Sequence, residues 1–289
     1  MQSNPAPTVL ITGTSTGIGA ACALELARRG WQVFAGVRQP ADADRLRSLA
    51  AEHGGDIQTL LVDVTEEAAI QDAALQVTQV VGDAGLDALV NNAGIVIAGP
   101  LEILPLESFR QQLEVNLMGT LAMTQAFLPL LRKSSGRLVN VSSVNGAVAS
   151  PYLGAYAASK HALEAVSDSL RVELRHWGID VVLIEPGPTQ TPIWQKSEAT
   201  SDAIAAKLAS ESLDIYADDS AAMRKAVEGL AARAVPVERV VRAVVQAVSA
   251  RRPRTRYYVT WESRLAFKAL RMLPDRFHDW IVRRALGLR

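Results

Sequence analysis

Tyr156 and Lys160 stand four residues apart in SPYLGAYAASK (150–160), a stretch made mostly of alanine, serine and glycine. Four residues is about one helical turn, so on a helix the phenol and the ammonium group share a face that nothing bulky covers. A free phenol, with a pKa of about 10, is a slow proton donor at neutral pH. A cation a few ångströms away favours the phenolate, and a shift of about two or three units brings the group into working range. The pair therefore points to general acid–base chemistry at an oxygen atom. Upstream lie Ser142 and Ser143. On a strand two adjacent serines face opposite ways, so one of them is placed to hold a substrate oxygen by hydrogen bond.

A second cluster, TGTSTGIG (12–19), has glycines at 13, 17 and 19. Glycine lets a backbone turn sharply and approach a phosphate closely, and a helix that follows offers free N–H groups to the anion. By itself such a cluster is also an ordinary glycine-rich turn. Asp63 has two readings as well, a contact to a bound ligand or a helix N-cap before TEEAAIQD.

These residues need a frame. Short apolar, often β-branched runs occur at TVLIT (8–12), WQVFAGV (31–37), IQTLLVDV (57–64), LDALVNNA (86–93), GRLVNVSS (136–143) and IDVVLIEP (179–186). Between them lie amphipathic helical patterns such as AACALELARRG. Alternation of this kind predicts an α/β fold, a parallel sheet covered by helices on both faces. From 188 to 235 the chain becomes rich in alanine, serine and charge. It is too short and polar to build its own core, and reads as a lid within a single domain spanning 1–289. A helix, VERVVRAVVQAVSA, and a strand, RYYVTW (256–261), follow it.

Thirty basic and thirty acidic side chains cancel, so there is no global field to attract nucleic acid. Cys22 is the single cysteine, which excludes an intramolecular disulfide and a cysteine-rich metal site. The N-terminal residues lack the pattern of a secretory signal, and no apolar run of about 18 residues is present to span a bilayer. The expectation is a soluble, cytoplasmic protein. Residues 251–289 carry eleven Lys/Arg and three Asp/Glu, with apolar residues at helical spacing from 262 to 289. This basic amphipathic extension has two readings, packing on its own domain or a partner subunit, and peripheral contact with an anionic membrane.

The glycine spacing G-x-x-x-G-x-G after a threonine resembles the phosphate loop of the short-chain dehydrogenase/reductase family, and further motifs follow in that family's order. The resemblance implies a doubly wound, Rossmann-type sheet and a catalytic set of Asn116, Ser143, Tyr156 and Lys160, the thirteen-residue spacing to the tyrosine selecting Ser143 over Ser142. It implies that Tyr156 and Lys160 also contact the cofactor, Lys160 through the ribose hydroxyls, and that Asn116 positions a water leading from Lys160 to solvent. On the same basis the cofactor lies against Gly13, Ser15, Thr16, Gly17, Ile18 and Gly19, then Asp63 and Val64 on the adenine side. The NNAG signature, Asn91, Asn92, Ala93 and Gly94, steadies the sheet and lines the adenosine. Pro186, Gly187, Thr189 and Thr191 of PGPTQT close over the nicotinamide, with Thr191 at the carboxamide.

Family members that select NAD place an acidic residue at the end of the second strand. Here Val37 holds that place and Arg38 follows. Valine cannot bind a diol, whereas arginine forms a charge-assisted fork to a 2′-phosphate. NADP is expected, with NAD the alternative that nearby Asp42 and Asp44 leave open. FAGVR, RYYVTW and the long insert resemble the branch with 17-beta-hydroxysteroid and retinol dehydrogenases, which implies an apolar alcohol or carbonyl substrate. Ala149, Pro151, Leu153, Ile193, Trp194 and Tyr216 are the candidates to line its pocket beside Ser143 and Tyr156. The family also implies a homodimer or homotetramer. The competing function is a dinucleotide-sensing protein of the same fold without turnover, a class that usually lacks the tyrosine or the lysine.

Overall fold

The computed structural model describes residues 6–260 and 273–288. Trp261, residues 262–272 and Arg289, which belong to the expected last strand and C-terminal extension, lie outside the described residues.

The apolar runs become seven strands: β1 (Thr8–Ile11), β2 (Gln32–Val37), β3 (Ile57–Leu61), β4 (Ala88–Asn91), β5 (Arg137–Val141), β6 (Asp180–Glu185) and β7 (Arg256–Tyr258). They pair in parallel in the order β3-β2-β1-β4-β5-β6-β7. The helices between them are α1 (Gly17–Arg28), α2 (Pro40–Glu52), α3 (Glu67–Val81), α4 (Leu106–Leu113), α5 (Gly119–Ser134) and α6 (Gly154–Glu173). The insert folds as α7 (Ile193–Ala205), α8 (Ser210–Asp214) and α9 (Ala217–Ala232), and α10 (Val237–Ser249) and α11 (Asp275–Leu286) come after it.

Burial on both faces explains why β1, β4, β5 and β6 read as apolar runs, whereas β3, at the sheet edge, leaves Gln58 and Leu61 exposed. Successive side chains point to opposite faces. Val9 and Ile11 thus join a cluster with Cys22 and Leu26 of α1 and Val240 and Val244 of α10. Leu10 joins the opposite one, with Phe127 and Leu131 of α5.

The strands are shorter than their apolar runs. β3 stops at Leu61 although the run continues to Val64, because the chain bends at Asp63, whose Oδ1 accepts hydrogen bonds from the Thr65 amide (3.0 Å) and hydroxyl (2.8 Å). Asp63 is therefore not the helix N-cap; α3 begins at Glu67 with Glu66 in the cap position. The helical pattern around EVNLMG is also broken, by one π-type turn at Glu114–Met118 between α4 and α5.

Strand order reverses on either side of β1, with β2 on one flank and β4 on the other. In open parallel sheets ligands bind outside the carboxyl ends of the strands at such a reversal. TGTSTGIG follows β1, NNAG ends β4, Ser142 and Ser143 follow β5, and PGPTQT follows β6, so the topology gathers every motif at one edge.

Candidate active site

Thr12 ties the first two motifs together. Its hydroxyl accepts from the amides of Asn92 and Ala93 (both 3.0 Å), while Asn92 Nδ2 donates to the carbonyls of Thr12 (2.9 Å) and Gly13 (3.1 Å). Gly13 has φ of 68°, in the left-handed region that glycine enters without penalty. The glycines answer first to the protein itself. A Cβ on Gly19 would stand 2.4 Å from the Gly13 carbonyl oxygen and 2.5 Å from Asn92 Nδ2, neither of which has room to retreat. Gly19→Ala is accordingly expected to destabilise the fold by about 2 kcal/mol, a melting-temperature loss of roughly 5 °C, and to weaken dinucleotide binding; calorimetry with and without cofactor reads both.

α1 starts with no acidic residue in its first turn and no side-chain cap from Thr16, so its leading amides at Gly17, Ile18 and Gly19 stay free for an anion. The Thr16 hydroxyl accepts instead from Lys196 Nζ of α7 (3.0 Å), and the Ser15 carbonyl accepts from Arg45 of α2. Sequence reasoning passed over both cations, whose only signal was general positive charge. Gly17 lies against Thr191, bringing PGPTQT to the glycine loop. The stem of the insert is closed by main chain: Val235 N donates to Pro188 O and Gln190 N to Val235 O, both at 2.9 Å, around a bridge between Thr189 and Val235. Pro186 accepts from the Val144 amide, and Gly187 from the Thr189 hydroxyl.

At the end of β2, Val37 is buried and Arg38 keeps 68% of its side chain exposed. Its ion-pair partner is Asp63, at 4.0 Å. Val64 is buried and packs on Gly119, and Gly94 sits against Asn116. Asn91 takes no place at the edge. It points into the sheet, donating to Thr124 and to Asn140 (both 3.0 Å).

Ser143, Tyr156 and Lys160 come together. Ser143 caps the short turn after β5, its hydroxyl accepting from Asn145 N (3.1 Å), and it hydrogen-bonds Tyr156. Ser142 faces elsewhere, its Oγ buried against the Gly146 turn and without a partner among the described residues. Lys160 is buried, donates to the Val141 carbonyl (2.8 Å) and lies 5.9 Å from the centre of the Tyr156 ring. Burial lowers its pKa from 10.5 to about 8, against the opposing charge of Glu164.

One electrostatic expectation is not met by the chain alone. Tyr156 is pushed above the ordinary phenol value by burial, and it is the Ser143 hydrogen bond, not Lys160, that acts in the other direction. Desolvation of the phenolate outweighs a cation whose amine is turned toward a carbonyl.

Asn116 sits in the π-type turn, fully buried. Its Oδ1 accepts from Ile95 N (2.8 Å), and its Nδ2 donates to Ile95 O (3.0 Å) and Ser159 Oγ (3.2 Å). Ser159 in turn donates to the Tyr156 carbonyl (2.7 Å). Asn116 thus links the β4 loop to α6, and none of these bonds goes to Lys160.

Of the pocket candidates, Pro151, Leu153, Ile193, Trp194 and Tyr216 are half-buried and Ala149 is exposed. Trp194 donates its indole N–H to Thr189 O (2.8 Å) and so braces the stem. Tyr216 hydrogen-bonds Glu102, and its ring meets that of Tyr152 edge-on at 6.4 Å. Tyr152, unforeseen in the sequence, has φ of 63° and a buried hydroxyl without a partner among the described residues. A separate cleft of about 790 Å³ between α10 and β7, bordered by Arg239, Arg242 and Arg254, contains none of the catalytic candidates.

Among the described residues no helix is long and apolar enough to cross a membrane. The sequence model of a family described as short chain dehydrogenase matches residues 7–202. The chain is 37% identical to an NADPH-dependent 3-dehydrocapnine reductase from Ornithobacterium rhinotracheale, over 94% of each chain. It is 36% identical to 17-beta-hydroxysteroid dehydrogenase type 6 from Bos taurus, covering 96% of this chain and 88% of that one. Retinol dehydrogenase 5 from Homo sapiens is 37% identical, with 97% and 90% covered.

Proposed function

The chain belongs to the short-chain dehydrogenase family and is an NAD(P)-dependent oxidoreductase; we propose that it transfers hydride between NADP and an apolar ketone or secondary alcohol, or the corresponding aldehyde and primary alcohol, of steroid or retinoid character. The observation that carries this reading is the meeting of Ser143, Tyr156 and buried Lys160 at the sheet edge that also carries the glycine loop.

The residues present fit the dinucleotide. Free amides open α1, Val37 offers no carboxylate to a ribose diol, and Arg38 stands exposed beside it. Bound NADPH supplies the hydride. Tyr156, its phenol held protonated by burial, donates a proton to the substrate oxygen as charge develops there, and Ser143 holds that oxygen. Lys160 carries positive charge beside the phenol and binds ribose hydroxyls. Asn116 fixes α6 through Ser159, which aims Tyr156. The insert acts as the lid: its stem is pinned at Thr189, and Ser201 and Tyr216 reach over to Ala98 and Glu102 of the β4 loop. Half-buried Leu153, Ile193 of the insert, and the ring contact between Tyr152 and Tyr216 of the insert supply apolar surface, consistent with the substrates named for the steroid and retinol relatives.

The test is NADPH oxidation, followed by absorbance, against a panel of apolar ketones and aldehydes. Turnover is expected with NADPH in clear preference to NADH. Arg38→Leu is expected to raise the NADPH dissociation constant about 10- to 100-fold, the worth of a charge-assisted bond, and to leave NADH unchanged. Tight NADPH binding with no turnover across the panel favours the sensing protein instead.

A further inference from the structure

Lys160 is a cation in a costly place. Its amine is buried and its hydrogen-bond acceptor among the described residues is a single neutral carbonyl, so isolated it would shed its proton rather than stay charged. Tyr156 and Glu164 are the titratable groups beside it on its own helix, and β5 contributes only the Val141 carbonyl.

Glu164 lies one turn beyond Lys160 on α6. Its Oε2 accepts two hydrogen bonds from Arg256 of β7, from Nε at 3.2 Å and Nη2 at 3.0 Å. Its Oε1 is buried without a hydrogen-bond partner among the described residues. The turn after β5 presses on the same spot, since a Cβ on Gly146 would stand 3.0 Å from Glu164 Cγ and 3.2 Å from the Lys160 carbonyl. Arg256 also reaches Asp168 of α6 (2.8 Å) and Glu185 of β6 (3.3 Å), and Asp168 pairs with Arg171. Three carboxylates, Glu164, Asp168 and Glu185, thus face three basic groups, Arg256, Arg171 and Lys160.

We propose that Glu164, clamped by Arg256, is a positioning residue that keeps the Lys160 amine charged beside Tyr156 and so sets the pH at which the site exchanges its proton. The inference rests on the catalytic reading of Lys160 given above. The two sides of the clamp act with opposite sign. Neutralising Glu164 removes the charge that retains the proton. Neutralising Arg256 leaves the carboxylates less compensated and holds the proton more tightly.

The ligand-free full chain, with lysine labelled by 13C at Cε, reports the Lys160 titration directly, and Lys160→Met assigns the signal. Glu164→Gln is expected to lower the midpoint by about one unit or more, and Arg256→Gln to raise it. Glu164→Asp, which keeps the charge, is expected to restore most of the wild-type value. The alkaline limb of the turnover profile is expected to follow in the same directions. If Arg256→Gln does not fold, Arg171→Gln at the outer end of the cluster reads the same sign with smaller amplitude. A Lys160 midpoint that stays put in Glu164→Gln, or moves the same way in both variants, overturns the proposal while the catalytic reading stands. Full turnover by Lys160→Met overturns the catalytic reading itself.

Discussion

Tyr156→Phe is expected to lower turnover by about 10³-fold while NADPH still binds with its wild-type dissociation constant. The substitution removes one oxygen and keeps the ring, so the packing of α6 against the turn after β5 is preserved. What goes is the proton donor and its bond with Ser143. Residual activity would then come from positioning and from Ser143 alone. In the proposed reaction Ser143 and Tyr156 act on the same substrate oxygen, so the double variant, with Ser143→Ala, is expected to be little worse than Tyr156→Phe. Single-turnover absorbance at saturating NADPH separates this from a binding defect. A phenylalanine variant within tenfold of wild type would place proton donation on another group.

Much of this site was legible because its chemistry is local in sequence. Tyr156 and Lys160 share a helix face at a spacing that secondary structure alone dictates, and the glycine loop, NNAG, the serine pair and PGPTQT each lie at the end of a strand whose parallel pairing follows from its two buried faces. Strand ends were less legible, because an apolar run does not reveal where pairing stops. Leu61 and Val64 read alike, yet the Asp63 turn separates them. The π-type turn at Asn116 left no mark in the helical pattern around it. Least legible was the electrostatics. Arg256 lies 92 residues from Glu164 in the chain and meets it only because β7 adds to the sheet beyond β6. Whether a phenol moves up or down depends on whether burial or a neighbouring cation dominates, and that balance exists only in three dimensions.

The same balance shapes the second large effect. Lys160→Met is expected to reduce kcat/KM by about 10³-fold or more, since it removes the charge beside the phenol and, in the proposed reaction, the anchor for the ribose. Its effect on stability depends on pH. Burial lowers Lys160 from 10.5 to about 8 in the folded chain. Between those values the unfolded chain binds the proton and the folded chain does not, so the lysine's contribution becomes more favourable as pH rises through that window. Below about pH 8 both states are protonated and the cost of holding the cation is fully present, on the order of 3 kcal/mol. Methionine removes that cost but leaves the Val141 carbonyl without its donor, a loss of about 1–3 kcal/mol. At neutral pH the two nearly cancel, and the variant should unfold within a few degrees of wild type. Denaturant unfolding at pH 7.5 and again at pH 10 supplies the sharper comparison. Relative to wild type, the variant is expected to lose ground by about 2–3 kcal/mol across that interval, because the wild type is relieved of a charge that the variant never carried. An equal difference at both pH values would mean that Lys160 titrates in the fold as it does in water, and that its burial is not what prepares it for the reaction.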